Sequence, residues 1–144
     1  MNKRKITIRE CLELRTEITG FSNKQSSLKG LINEKTNFKT KYWLNKILEK
    51  VASEERIFNK LRDELIKKYG TEENGSFVVK ETIDGSPNPM YSQYLSEVLA
   101  LIEQETEIDL PVLSIDTLDF ESENVYPVFM KHIIKEHEEI PDQG

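Results

Sequence analysis

Apolar residues recur at helical spacing through the first seventy residues of the chain. No glycine or proline interrupts residues 38–69. Positions in this stretch at alternating steps of three and four are Leu44, Ile47, Val51, Glu54, Phe58, Leu61, Leu65 and Lys68. This spacing predicts one amphipathic helix about 48 Å long at 1.5 Å per residue. Because Glu54 and Lys68 place charge on its apolar face, a two-stranded coiled coil over the full length is disfavoured.

A shorter helix is predicted over residues 7–18, where Ile8, Cys11, Leu12, Arg15 and Ile18 follow helical spacing. Thr7 and Glu10 form a capping-box sequence at its start, and Gly20 follows as a stop signal. Residues 28–35 predict a further short helical piece. The long helix cannot bury its apolar face alone, and either the first helix or a second copy can cover it. We expect the first helix to fold back along it as an intramolecular hairpin, with partial contacts to another copy.

The second half of the chain alternates between strand and helix patterns. Residues 76–83 are rich in β-branched side chains and predict a strand, and residues 90–105 return to helical spacing. Residues 106–113 alternate apolar and polar positions, and Pro111 restricts them to an edge strand. Two strands around one helix predict a small β-α-β element. Residues 124–138 predict a final helix.

Turn residues separate these elements. Gly70 follows the long helix and predicts a left-handed helix end. The dipeptides Asn74-Gly75 and Asp84-Gly85 predict tight turns. The fold predicted from the whole pattern is α+β and mainly α: a helical hairpin with one long central helix, a small two-stranded β element and a C-terminal helix.

Charge divides the chain near Gly70. Residues 1–70 hold 17 Lys and Arg against 9 Asp and Glu, a net charge of +8, whereas residues 71–144 hold 3 against 17, a net charge of −14. We therefore predict a basic helical hairpin at 1–70 and an acidic β-α-β appendage with the final helix at 71–144, forming one cooperative unit. Either the basic half meets an anionic partner, or the two halves neutralise each other within one chain or between copies.

Composition excludes several classes of protein. The chain has 144 residues, of which 37% are apolar and 32% charged, and it contains one cysteine. No apolar run is long enough for a membrane helix, and no apolar stretch follows the basic N-terminus as in a signal peptide. Cys11 lies on the apolar stripe of the first helix, so we expect a buried, unreactive thiol in a reducing compartment.

Motifs for catalysis or metal binding are not found. The sequence has no P-loop, no G-x-G-x-x-G and no G-x-S-x-G, so no catalytic residue and no cofactor is predicted and we expect a protein that is not an enzyme. His132 and His137 are five residues apart and would lie about 140° apart on a helix, so no metal site is predicted. His132 is expected to be solvated. The acidic run at 116–123 lacks the order of a calcium loop.

A basic stripe on the long helix is the one binding signal. Lys39, Lys46, Lys60 and Lys67 share a heptad position, and Lys41 and Arg62 lie two positions away. These six residues form the candidate site for an anion or an acidic partner. The alternatives are a solvated helix face, an acidic protein surface such as another copy's C-terminal half, and a nucleic acid or nucleotide.

Several segments follow one another in a familiar order: LRDELIKKYG (61–70), ENGSF (73–77), YSQYLSEVLALIEQE (91–105) and EIDLPVL (107–113). This order resembles a group of small, uncharacterised proteins of tailed phages and prophages, over residues 38–113. The resemblance implies a viral or prophage origin and an accessory role in an infected bacterium. It carries over no catalytic residue.

The function expected from these observations is that of a non-enzymatic phage-type accessory protein. It would self-associate and act by binding a host or viral protein, either as a virion component or as an inhibitor of a host factor. Its place would be the cytoplasm of an infected or lysogenic bacterium, or the virion, and not a membrane. The alternative is a nucleic-acid or anionic-ligand binding module that uses the basic stripe.

Overall fold

The computed structural model of the protein describes residues 2–34, 36–114 and 126–135. The helices are α1 (Ile8–Thr19), α2 (Phe38–Tyr69), α3 (Pro89–Ile102) and α4 (Pro127–His132), with a 3-10 turn at Leu31–Asn33. The strands are β1 (Asn2–Thr7), β2 (Gly20–Ser22), β3 (Ser27–Lys29), β4 (Thr71–Glu73), β5 (Ser76–Val78), β6 (Thr82–Ile83), β7 (Ser86–Pro87), β8 (Glu105–Leu110), β9 (Leu113–Ser114) and β10 (Ile134–Lys135). The predicted mixed class, with a long helix and small two-stranded sheets, is confirmed.

The long helix α2 has the predicted bounds. Asn37 caps its start by accepting a hydrogen bond from the Thr40 N–H at 2.8 Å. The prediction for its end is wrong, because Gly70 is extended, with φ −98°, rather than left-handed. The chain runs directly from the helix into β4. A Cβ atom on Gly70 would stand 2.7 Å from the Val78 carbonyl oxygen, so this close approach, and not a positive φ, requires glycine.

The predicted capping box opens α1. Thr7 Oγ1 accepts from the Glu10 N–H at 3.1 Å, and Glu10 Oε1 accepts from the Thr7 N–H at 3.3 Å. The helical piece predicted at 28–35 is wrong in its first part. Ser27–Lys29 pairs as a strand with β2, and only the 3-10 turn follows it. The last residue of that prediction lies outside the described residues.

The first strand, β1, is missing from the sequence prediction. It pairs antiparallel with β8 over six residues, and this sheet replaces the predicted β-α-β element. Lys3 lies opposite Asp109 and Lys5 lies opposite Glu107. Opposite charges at directly paired positions stabilise such a sheet. Part of the charge difference between the two halves of the chain is therefore balanced here, within one molecule.

The strand predicted over 76–83 is divided between two small hairpins. β4 pairs with β5, and β6 pairs with β7. Asn74 and Gly75 have φ of 53° and 83°, and Asp84 and Gly85 have φ of 50° and 80°. Positive φ at both central residues is the type I′ turn, whose twist matches that of a hairpin. Each predicted turn thus folds the chain back on its own flanks, which prevents one continuous strand.

The core lies between α1, the first half of α2, the β1–β8 sheet and α4. Its fully buried apolar side chains include Ile6, Cys11, Leu14, Ile18, Leu44, Ile47, Val51, Leu110, Phe129 and Ile133. Cys11 is buried as predicted, and burial, with Glu54 and Glu10 nearby, raises the pKa of its thiol to about 12. The thiol is therefore protonated at neutral pH and is not a nucleophile.

The C-terminal helix is shorter than predicted. α4 ends at His132, and Ile134–Lys135 then pairs in parallel with β9. The Leu113 N–H donates to the Ile133 carbonyl at 2.7 Å, so backbone groups that would continue the helix serve this sheet instead. The remaining residues of the 124–138 prediction, and the acidic run at 116–123, lie outside the described residues.

The β1–β8 register yields a first prediction. Lys5→Glu places a glutamate opposite Glu107, and we expect it to lower the free energy of unfolding by about 0.5–1 kcal/mol. Lys24→Glu makes the same charge change in an exposed loop and is the control. Urea unfolding at low salt measures both. Equal losses for the two variants would show that cross-strand charge does not stabilise this sheet.

Candidate interaction surface

The predicted basic stripe is present on α2, but it curves around the helix. Lys39 and Lys67 are about 42 Å apart along the axis. A strict seven-residue repeat drifts about 20° per heptad on a straight helix, so the two ends are about 80° apart around it. Lys39, Lys60 and Lys67 are exposed and form no ion pair with any described residue. Lys46 is half-buried, with Nζ 5.5 Å from the Tyr42 ring centroid.

The other two predicted residues do not share this face. Two residues along an α-helix correspond to about 200° of rotation, so Lys41 and Arg62 lie on the opposite flank of α2. Lys41 Nζ is 6.0 Å from the Phe38 ring centroid. Arg62 lies over the Phe58 ring and 3.8 Å from Asp63. The six candidate residues therefore do not converge on one ligand-sized site.

A polar cluster surrounds α4, and no sequence pattern predicted its contacts. The buried side chain of Glu17, on α1, accepts hydrogen bonds from the Val128 N–H at 3.0 Å and the Phe129 N–H at 2.7 Å. These are first-turn donors of α4 that have no partner within the helix. Burial raises the pKa of Glu17, and the two hydrogen bonds oppose that shift. Glu17 thus acts as an N-terminal cap supplied by another helix.

The other end of α4 is held by Glu10. Its Oε2 accepts from Lys131 Nζ at 2.7 Å and lies 3.1 Å from His132 Nε2. The prediction of a solvated His132 is wrong, because the residue is only 4% exposed. Burial raises the pKa of Glu10, but hydrogen bonds from Lys131 and His132 outweigh this and lower it to about 2. The cluster anchors the C-terminal segment to α1, a contact that separations of more than 110 residues hide from sequence patterns.

A segment at 59–104, which we call the arm, contrasts with this core. It comprises the end of α2, the two hairpins and α3, and none of its apolar side chains is buried. Twelve large apolar side chains are exposed among the described residues, and seven of them are on the arm: Leu61, Phe77, Val78, Ile83, Met90, Leu95 and Leu99. Such a concentration of exposed apolar surface marks an interaction site more often than a catalytic one.

Helix α3 carries three of these seven side chains, Met90, Leu95 and Leu99. It contains one charged residue, Glu97, in 14 positions, in a chain that is 32% charged. Its outward side presents Leu95 and Leu99 among small and uncharged residues such as Ser92 and Ser96. Depletion of charge is the compositional mark of an interface centre. This low charge is the sequence signal that could have identified the surface.

A groove of about 450 Å³ runs between α2 and α3 on another side of the arm. Its apolar lining consists of Leu61, Leu65, Ala100 and Leu101, and its polar lining of Glu64, Glu97 and Gln104. Lys68 Nζ lies 3.8 Å from Glu97 Oε1 at its edge. The groove has the apolar floor and charged rim of a helix-binding surface.

No protein-family model, no curated protein and no solved structure matches this chain. The resemblance of residues 38–113 to phage proteins therefore stays a prediction. Within residues 2–34, 36–114 and 126–135, no three His, Cys, Asp or Glu side chains are grouped as metal ligands. Of the helices described, none is both long and apolar enough to cross a bilayer.

The Glu17 cap gives a second prediction. Glu17→Ala removes the carboxylate that accepts from two N–H groups of α4, and we expect a loss of about 2–3 kcal/mol in the free energy of unfolding. Glu13→Ala, on the exposed side of the same helix, is the matched control. Urea unfolding compares the two. A loss no larger for Glu17→Ala than for Glu13→Ala would contradict the capping role.

The Glu10 contacts give a third prediction, on pH. The pKa of Glu10 falls from 4.5 to about 2 on folding, so its stabilisation is complete above pH 4.5 and is lost as the pH falls toward 2. We expect wild type to lose more stability than Glu10→Gln between pH 5 and pH 3, because the variant has no carboxylate to protonate. Glu17, whose pKa is raised, is common to both proteins and cancels in the comparison. Parallel losses would refute the assignment.

Proposed function

We propose that this protein is a non-enzymatic accessory protein of phage or prophage type that acts by binding another protein through the arm. The observation that carries the proposal is the contrast between the two parts of the chain. All of the buried apolar side chains described lie outside residues 59–104, where seven of the twelve exposed large apolar side chains are found. Leaving this much apolar surface in water is unfavourable, and a bound protein would remove it.

The chemistry of α3 indicates the kind of partner surface. Leu95 is 39% exposed and Leu99 is 51% exposed, with no charged side chain between them except Glu97 on the inner side. A charged group buried against this face would find no counter-charge, and burying an unpaired charge is costly. The partner is therefore a protein with an uncharged apolar patch, and not a polyanion.

The biological setting follows from the sequence resemblance. A phage accessory protein of this kind is either a component of the virion or an inhibitor of a host factor, and both act by covering a surface. Its place is the infected or lysogenic bacterium, or the virion. Glu10 and the buried Glu17 and His132 hold α4 in place, so these polar groups have a structural role in the proposal.

The alternative function is binding of nucleic acid or an anionic ligand. What favours it is the exposure of Lys39, Lys60 and Lys67 without ion pairs among the described residues. Phosphate contacts would make such binding fall steeply with salt. The curved stripe and the acids beside it, Glu49 and Asp63, weaken the field that a nucleic acid would meet.

One experiment separates the two functions. The affinity-tagged full-length protein is expressed in phage-infected bacteria as wild type, as Leu95→Glu/Leu99→Glu and as Lys46→Glu/Lys60→Glu, and retained molecules are identified by mass spectrometry. We expect a protein that wild type and the lysine variant retain and the leucine variant loses, and that binds again when purified. Circular dichroism checks that both variants fold, which we expect because Leu95, Leu99 and Lys60 are exposed and Lys46 is only half-buried.

Three outcomes of these experiments would contradict the proposed function. Loss of a retained nucleic acid by the lysine variant alone would replace the proposal with the binding-module alternative. A retained protein that binds the leucine variant as well as wild type would remove the arm from the interaction. Turnover of a substrate by the pure protein would overturn the non-enzymatic assignment.

A further inference from the structure

The groove between α2 and α3 lies apart from the outward face of α3 and needs an occupant of its own. We propose that a second copy of this chain fills it, so that two arms pack face to face as a four-helix bundle. The inference rests on the proposed function only in treating the arm as the interacting part of the molecule. It names the partner of one arm surface and leaves the outward face of α3 for a different protein.

The arm is half of a helix bundle. Lys68 lies beside Glu97. Leu61 precedes Lys68 in α2, and it lines the groove together with Gln104, which follows Glu97 in the chain. The two helices are therefore antiparallel. A pair of antiparallel helices leaves one side of its apolar seam open, and four-helix bundles close that side with a second pair. The hairpins β4–β5 and β6–β7 are exposed throughout and supply no cover for the seam.

The open side extends beyond the groove toward the core. Ile57 is 56% exposed and Leu61 is 39% exposed, and they are one helical turn apart on α2. Ala100 and Leu101 of α3 line the groove with Leu61. Large side chains on one helix beside a small one on the other produce the ridge and the gap that helix packing needs. A two-fold axis would place each ridge against the other copy's gap.

The charges at the rim select a second copy over a partner of one sign. Glu64 and Glu97 are negative and Lys68 is positive. Lys68 would therefore repel a basic helix, and the two glutamates would repel an acidic helix. A two-fold related copy presents both signs in reverse order and can match each of them.

The size of the face predicts the strength of association. The last 13 residues of α2 from Ile57 and the 14 residues of α3 are each about 20 Å long, and packed helices lie about 8–10 Å apart. The face is thus about 20 Å square, smaller than the roughly 800 Å² that each partner of a standard interface buries. We expect a dimer that dissociates on dilution, with a dissociation constant in the micromolar range.

The test compares two leucines of similar exposure on different sides of the arm. Leu61→Glu introduces a charge into the groove, and Leu99→Glu introduces the same charge on the outward face of α3. Sedimentation equilibrium of the full-length protein from about 1 to 200 μM gives the dissociation constant. We expect wild type and Leu99→Glu to dimerise alike, and Leu61→Glu to raise the dissociation constant at least about tenfold. Ile57→Glu, at the most exposed of these positions, should do the same and guards against misfolding of Leu61→Glu.

Three results would overturn the inference. They are a monomer over the whole concentration range, a dimer that Leu61→Glu and Ile57→Glu leave intact, and a dimer that only Leu99→Glu dissociates. In each case the proposed function stands or falls separately, because its own test depends on Leu95 and Leu99. Conversely, a dimer that Leu61→Glu dissociates would support this inference. If the same protein retained no other protein in the affinity purification, that result would count against the accessory role.

Discussion

The sheet between β1 and β8 is the contact on which the rest of the structure depends. β1 leads directly into α1, and α3 leads through two residues into β8, so this pairing joins the two halves of the chain at one place. The Ile8 N–H donates to the Gln104 carbonyl at 3.0 Å, which continues the sheet's hydrogen bonding into the helix start. With Ile6 and Leu110 buried on the inner side and lysines facing acids on the outer side, the sheet serves both the core and the charge balance.

Local signals in the sequence predicted the elements that local chemistry determines. The bounds of α2, the Thr7–Glu10 capping box and the two type I′ turns depend on residues within a few positions of one another. Strand β1 was missed because its sequence, NKRKIT, has one apolar side chain that reaches the core and a partner more than a hundred residues away. Glu17 and His132 were missed for the same reason, since a polar residue on a helix shows its buried partner only in three dimensions.

The sequence predicted correctly that basic residues lie on α2, but not that they are too far apart to form one site. The lysines of the basic stripe do lie on α2, yet helical drift and the opposite position of Lys41 and Arg62 separate them. The apolar repeat of α2 was the better guide, because it marks a face that continues past the end of α1. Leu44, Ile47 and Val51 meet the core, whereas Leu61 continues the same repeat into solvent because α1 packs only against the first half of the helix. Hydrophobic periodicity specifies a face but not what covers it.

The separation of core and arm has a consequence for how such a protein works. The core is stabilised by buried apolar groups and by the hydrogen bonds of Glu10 and Glu17 to α4. The arm is joined to the core through the continuous helix α2, through β8 and through the Arg9–Glu103 ion pair, which fix its direction. Its apolar surface is thus held in place before any partner arrives, and little ordering entropy is lost on binding. The two proposals place self-association in the groove and capture of another protein on the outward face of α3, so the two binding events would not compete.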